Sequence, residues 1–175
     1  MATFAATPPV RALSDGFETV LVSTPDEMAR SMAIRYTVFC VEQGYEERIE
    51  RDSRDAECDH ILLVKRNEDG STTDAGTVRW YASQSKLGRF AMHKQFRGCG
   101  AGTILCLALE EHIRQRKGLA KEKFAGQQEA EIVAWSQKIA EGFYHKMGWE
   151  TVGDDFIEEG QPHCKVVKRI KLVSE

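Results

Sequence analysis

The pattern of apolar and polar positions first becomes regular near Phe17. FETVLVS (17–23) alternates and is rich in β-formers, so it predicts a strand. Thr24-Pro25-Asp26-Glu27 then predicts a helix start: Thr24 caps, Glu27 closes a capping box, and Pro25 fills the first helical position. The helix is expected to run to about Phe39, with Met28, Met32, Tyr36 and Phe39 facing the core. HILLVKR (60–66) and AGTVRWYA (75–82) read as a hairpin around NEDGSTTD, and residues 85–93 as a fourth strand. Ala101, Ile104, Leu105, Ala108, Leu109 and Ile113 then mark a largely buried helix. The polar stretch RKGLAKEKFAGQQEAE follows and predicts an exposed loop, disordered between Leu119 and Gln128. A core strand at 131–135, a helix over SQKIAEGFYHKMG closed by Gly148, and strands at 149–156 and 163–172 complete the chain.

The order is strand, helix, three strands, helix, strand, helix, two strands. It predicts a mixed α/β sheet of the α+β kind, neither doubly wound nor a pure meander. The first 16 residues, with Pro8 and Pro9, are expected to be a loose tail ahead of a single domain at 17–175.

Composition narrows the function. A chain of 175 residues with 42% hydrophobic positions suits one core, and a formal net charge of -3 without a long Lys/Arg run argues against nucleic acid. No membrane span or secretory leader is legible, so a cytoplasmic protein is expected. Five cysteines (Cys40, Cys58, Cys99, Cys106, Cys164) show no metal-ligand spacing, so they read as reduced thiols and no metal is expected. Residues 41–59 crowd Glu and Asp, either as a solvated face or as a site that receives an amine.

The chemistry concentrates in HKQFRGCGAGTILCLALE (93–110). Gly98, Gly100 and Gly102 fail the dinucleotide fingerprint, because Thr103 stands where its third glycine belongs. They fail the P-loop as well, because Thr103 and Ile104 replace its Gly-Lys. What remains is an R-x-x-G-x-G at Arg97, Gly100 and Gly102, between a strand and a helix start. It is either a phosphate cradle or a tight turn.

This segment resembles the pyrophosphate loop of the GNAT N-acetyltransferases. RYTVFCVEQG (35–44), GRFAMHKQFRG (88–98), AEGFYHKMGW (140–149) and EEGQPH (158–163) are similar to its ElaA-type branch. The resemblance implies the GNAT fold, a mostly antiparallel sheet of about seven strands whose fourth and fifth strands splay to admit the pantetheine arm of acetyl-CoA. Phe90, Ala91 and Met92 would pair with the arm through their backbone, with Met92 N–H as the oxyanion donor. Arg97, Gly98, Cys99, Gly100, Ala101 and Gly102 would hold the pyrophosphate. Tyr144 would protonate the departing thiolate and also contact the cofactor, while Gln137 stands where many members carry an asparagine.

No acid lies on the fourth strand, so Glu42 or His163 is expected to serve as base. Glu42, Gln43, Asp52, Arg79 and His163 would bind the acceptor. The implied reaction is direct transfer of acetyl from acetyl-CoA to a primary amine of a small molecule, with a slight tilt toward a cationic one. An amino-sugar phosphate would need a basic pocket beyond Arg79, Arg89 and Lys165. An acyl-CoA sensor without turnover, acetylation of protein amines, and a homodimer all stay open.

Overall fold

A computed structural model describes residues 16–47 and 52–174, so all of the predicted tail at 1–16 except Gly16, and Glu50 of the acidic stretch, lie outside the described residues. Seven strands form one sheet: β1 (Phe17–Leu21), β2 (Cys58–Arg66), β3 (Thr72–Tyr81), β4 (Lys86–Met92), β5 (Glu129–Gln137), β6 (Glu150–Glu158) and β7 (Gln161–Lys171). Their order is β1-β2-β3-β4-β5-β7-β6. Every neighbouring pair is antiparallel except β4 and β5. This is the predicted GNAT-type sheet.

Helix α1 (Pro25–Arg35) covers one face, and the capping box forms as read: Thr24 Oγ1 accepts from Glu27 N at 3.2 Å and the Glu27 carboxylate accepts from Thr24 N at 3.0 Å. The helix ends four residues earlier than expected and passes into a π-helical stretch, Tyr36–Glu42, which widens the turn and re-aims the chain. The expected inward stripe is also shifted. Ser31, Ile34, Arg35 and Val38 are the buried positions, whereas Met28 and Met32 are half-buried and Tyr36 is exposed. Of the predicted stripe, only Phe39 packs with the small core of Ile34, Val38, Leu62, Val64 and Ala91. The polar members of the inner stripe are tolerated because they are paired. Ser31 Oγ meets Thr77 Oγ1 at 2.5 Å, and Arg35 donates to Asp55 at 2.8 Å.

Helices α2 (Ala101–Arg114), α3 (Ala120–Lys123) and α4 (Glu141–Lys146) belong with the larger core, where Ile104, Leu105, Leu109 and Ile113 pack with Trp80, Ile132, Tyr144, Trp149 and Val166. The stretch expected to be disordered is folded. Ala120 and Phe124 are buried, Phe124 stacks on Trp80 at 6.0 Å, and Arg116 donates to the carbonyls of Phe124 and Gln127. Glu110, buried in α2, accepts from Trp149 Nε1 at 2.9 Å and from Lys168 Nζ at 2.7 Å, closing a satisfied polar cluster inside the apolar layer. No helix among the described residues is long and apolar enough to cross a membrane. All five cysteines are free thiols.

Candidate functional site

β4 and β5 pair only at Lys86 with Val133 and Leu87 with Ala134. Beyond these two positions they part, and the cause is local. Arg89 adopts a left-handed backbone (φ 50°), and the β3–β4 register shifts between Thr77 and Arg79. A β-bulge of this kind bends its strand and takes it off the ladder. The rest of β4, including the predicted Phe90, Ala91 and Met92, therefore runs beside a gap in the sheet.

The glycine loop lies just past the open end of β4. Gly98 (φ 78°) and Gly100 (φ 88°) occupy the left-handed region, where side-chain-bearing residues are strained. A Cβ on Gly98 would meet no heavy atom within 4 Å, so the space before the loop is open and conformation alone demands glycine there. Gly100 caps α2 without a side chain, which leaves the N–H groups of Ala101, Gly102 and Thr103 directed outward at the positive end of the helix dipole. At Gly102, which lies inside the helix, a Cβ would only touch Phe143 at 3.6 Å and Phe90 at 3.8 Å. These residues fit a pyrophosphate held by backbone N–H groups. Cys99 is exposed, and its thiol donates to Phe96 O at 3.2 Å.

Arg97 points back along the strand. Its Nε donates to Met92 O at 2.9 Å and its terminal nitrogen to the Glu42 carboxylate at 2.6 Å. On the other side of the gap, Gln137 at the end of β5 donates to Gln43 Oε1 at 2.8 Å and to Tyr45 Oη at 3.3 Å. Glu42 and Gln43 thus reach both strands that bound the gap, and the π-helical stretch places them there. Glu42, a predicted base, spends its carboxylate on Arg97.

His163 sits opposite Gln137 in the β5–β7 ladder, is buried, and stacks on Phe156 at 6.0 Å. Its Nδ1 faces Gln161 O at 2.9 Å, so Nδ1 carries the hydrogen and Nε2 of the neutral ring keeps its lone pair. Tyr144 approaches from the other face. It shares the larger core with Cys164, the residue after His163, and side chains alternate along a strand. Edge-to-face contacts with Phe143 and Trp149, both at 5.3 Å, fix the Tyr144 ring. Burial pushes its phenol well above the ordinary range, so it stays protonated.

Asp52 and Arg79 belong to a separate cluster on the α1 face. Arg79 donates to Asp52 at 2.7 Å and to Asp55 at 2.8 Å, Arg35 donates to Asp55, and Arg89 donates to Asp52 at 3.2 Å. Burial alone would raise both aspartates, but the arginine hydrogen bonds and charges outweigh it and hold them below the usual carboxylate range. Beside this cluster runs a groove of about 950 Å³ lined by Met28, Met32, Tyr36, Asp52 and Asp55. The methionines read as core thus line an open surface. Sequence reading also missed Asp55, Arg35, Tyr45 and Phe156. Asp55, Arg35 and Tyr45 take their roles from contacts across 20 to 92 positions of chain, for which no local pattern exists, and Phe156 takes its role from stacking on His163 across the β6–β7 hairpin.

Comparison with known proteins agrees with this geometry. The family described as the acetyltransferase (GNAT) domain matches residues 24–170. The chain is 33% identical over 152 residues to the uncharacterised protein YyaT of Bacillus subtilis, covering 85% of this chain and 93% of that one. Among solved structures it is similar to Escherichia coli ElaA (TM-score 0.66, 18% identity, 87% of this chain and 97% of that chain). An acyl-CoA N-acyltransferase from Pseudomonas aeruginosa is similar as well (TM-score 0.64, 16% identity, 87% and 99%).

Proposed function

The chain belongs to the GNAT acetyltransferase domain family, and from that premise we propose that it transfers an acetyl group from acetyl-CoA directly to the primary amine of a small molecule. The observation that carries this reading is the gap between β4 and β5, which leads onto the glycine loop at the start of α2 and is flanked by a phenol on one face of the sheet and an imidazole on the other.

In this reading the N–H groups from Gly98 to Gly102 hold the pyrophosphate, and the backbone of Phe90–Met92 pairs with the pantetheine arm as an added strand. Arg97 fixes the turn out of β4 through Met92 O, and Gln137 offers its amide to the arm from across the gap. The Met92 N–H faces the developing oxyanion. His163 Nε2 takes the proton from the attacking amine, and Tyr144 supplies one to the thiolate from the opposite side. Glu42 is the less available of the two, because its carboxylate already accepts from Arg97 at 2.6 Å.

Three carboxylates of the acidic stretch already have cationic partners, which weakens their pull on a cationic acceptor. Asp52, Asp55 and Glu42 are all neutralised by arginines, and Arg79 and Arg89 are themselves engaged by Asp52. Kinship with the ElaA-type branch is supported by the four sequence blocks and by similarity to ElaA in fold.

The test is thiol release from acetyl-CoA against amines, polyamines, amino acids, amino sugars and their phosphates, with thermal shift by CoA alongside. Release with one amine class is expected. A clear shift with no release from any small amine would overturn the small-molecule reading, and no shift would overturn the CoA site itself.

A further inference from the structure

Lys86 stands at the vertex of the gap, one of only two β4 residues paired to β5. Its neighbour Leu87 packs into the larger core, so Lys86 points to the opposite face of β4. There its Nζ lies over the Trp135 ring, 3.1 Å from the centroid, and Trp135 in turn meets Phe156 edge to face at 5.5 Å. Phe156 stacks on His163, and His163 lies opposite Gln137. One row of side chains therefore runs from the Lys86 amine to the residues placed above at the acceptor side of the gap.

The environment of this amine is unusual for a surface lysine. Among the described residues Lys86 makes no ion pair and is seated on an aromatic face. The charged groups that act on it most are Glu158 on β6, Arg54 on the turn before β2, Arg89 on β4 itself and Arg79 on β3, while β5 presents the Trp135 ring. Burial lowers its pKa to about 8, and the three arginines act in the same direction against the single opposing carboxylate. On the order of a hundredfold more of this amine is neutral near pH 7 than of an ordinary lysine.

We propose that Lys86 is an internal acyl acceptor, a lysine that takes the acetyl group from acetyl-CoA bound in the gap when no acceptor amine is present. The inference rests on the proposed CoA site. In the step, neutral Nζ adds to the thioester carbonyl carbon, the C–N bond forms as the C–S bond breaks, and the proton lost by nitrogen goes to the departing thiolate. The products are Nε-acetyl-lysine at position 86 and free CoA. The modification removes the charge above Trp135 and fills the acceptor side with a neutral amide.

The test uses the intact chain, acetyl-CoA alone, and peptide mapping by mass spectrometry, with heat-denatured protein as the control for chemical acetylation. Lys165, exposed and opposite Trp135 in the ladder, is the internal reference. Acetylation at Lys86 is expected to exceed that at Lys165 by on the order of tenfold. It should rise with pH and level off above about 8, vanish on denaturation, and fall when excess CoA competes. Lys86→Arg should lose the mark while keeping the thermal shift by CoA.

If CoA shifts the melting temperature but Lys86 is labelled no faster than Lys165, the internal acceptor is wrong and the CoA site stands. If CoA gives no shift, both fall. Equal labelling of folded and denatured chains would likewise overturn the inference.

Discussion

The two halves of the sheet differ sharply from the joint between them. β2 with β3 and β5 with β7 each pair along nine positions, and the core beneath them is closed by a satisfied Glu110–Lys168–Trp149 cluster. β4 and β5 share two pairs and then separate around a positive-φ arginine, and β4 leads on to two left-handed glycines. Stability is concentrated in the halves. The joint carries backbone groups without ladder partners, and these are the groups a bound pantetheine and pyrophosphate would satisfy.

The sharpest way to break the comparison is at Tyr144, which belongs to the core of one half and, in the proposed reaction, serves the joint. Tyr144→Phe keeps the ring contacts with Phe143 and Trp149, so the fold and CoA binding should persist while turnover falls about 10²- to 10⁴-fold. Steady-state rates beside CoA titration check this, and unchanged turnover would remove the phenol from the mechanism.

Lys168→Met attacks a half alone. It strands a buried Glu110 carboxylate and should cost about 3–5 kcal/mol in urea unfolding, with the CoA affinity of the remaining folded protein unchanged. Gly100→Ala attacks the joint alone. A left-handed alanine should cost about 1–2 kcal/mol of stability and a larger share of CoA affinity, read by calorimetric titration.

Acid sharpens the contrast between the faces. Asp52 and Asp55 have folded pKa values below their unfolded ones, so the stability they contribute is full above the ordinary carboxylate range near pH 4 and is lost as pH falls through the lower folded values. Urea midpoints below pH 4 should therefore fall less steeply in Arg79→Met, whose aspartates start nearer their ordinary values. The smallest effect belongs to Thr24→Ala, about 1 kcal/mol from the lost α1 cap and none on CoA binding.

The same contrast explains what was legible in the sequence. The element order, the α1 cap and the glycine loop are local signals, written in neighbouring residues, and all three stand in the structure. The Met28–Met32–Tyr36 stripe misled because the sheet face under α1 offers Thr77, and the turn before β2 offers Asp55. These partners make Ser31 and Arg35 good inward residues and leave the methionines to a groove. Residues 119–128 looked structureless because what orders them, Trp80 under Phe124, lies more than 40 positions away. The π-helical stretch and the Arg89 bulge have no sequence signature of their own, yet they bring Glu42 and Gln43 over the gap and open it.

The central claim, that the joint between β4 and β5 is the CoA site, is tested most directly by amide hydrogen exchange with and without CoA. Protection at residues 90–92 and 98–103, with the β2–β3 and β5–β7 ladders unchanged, is the expected result. CoA binding that leaves those amides exchanging as before, or protects others in their place, would contradict it.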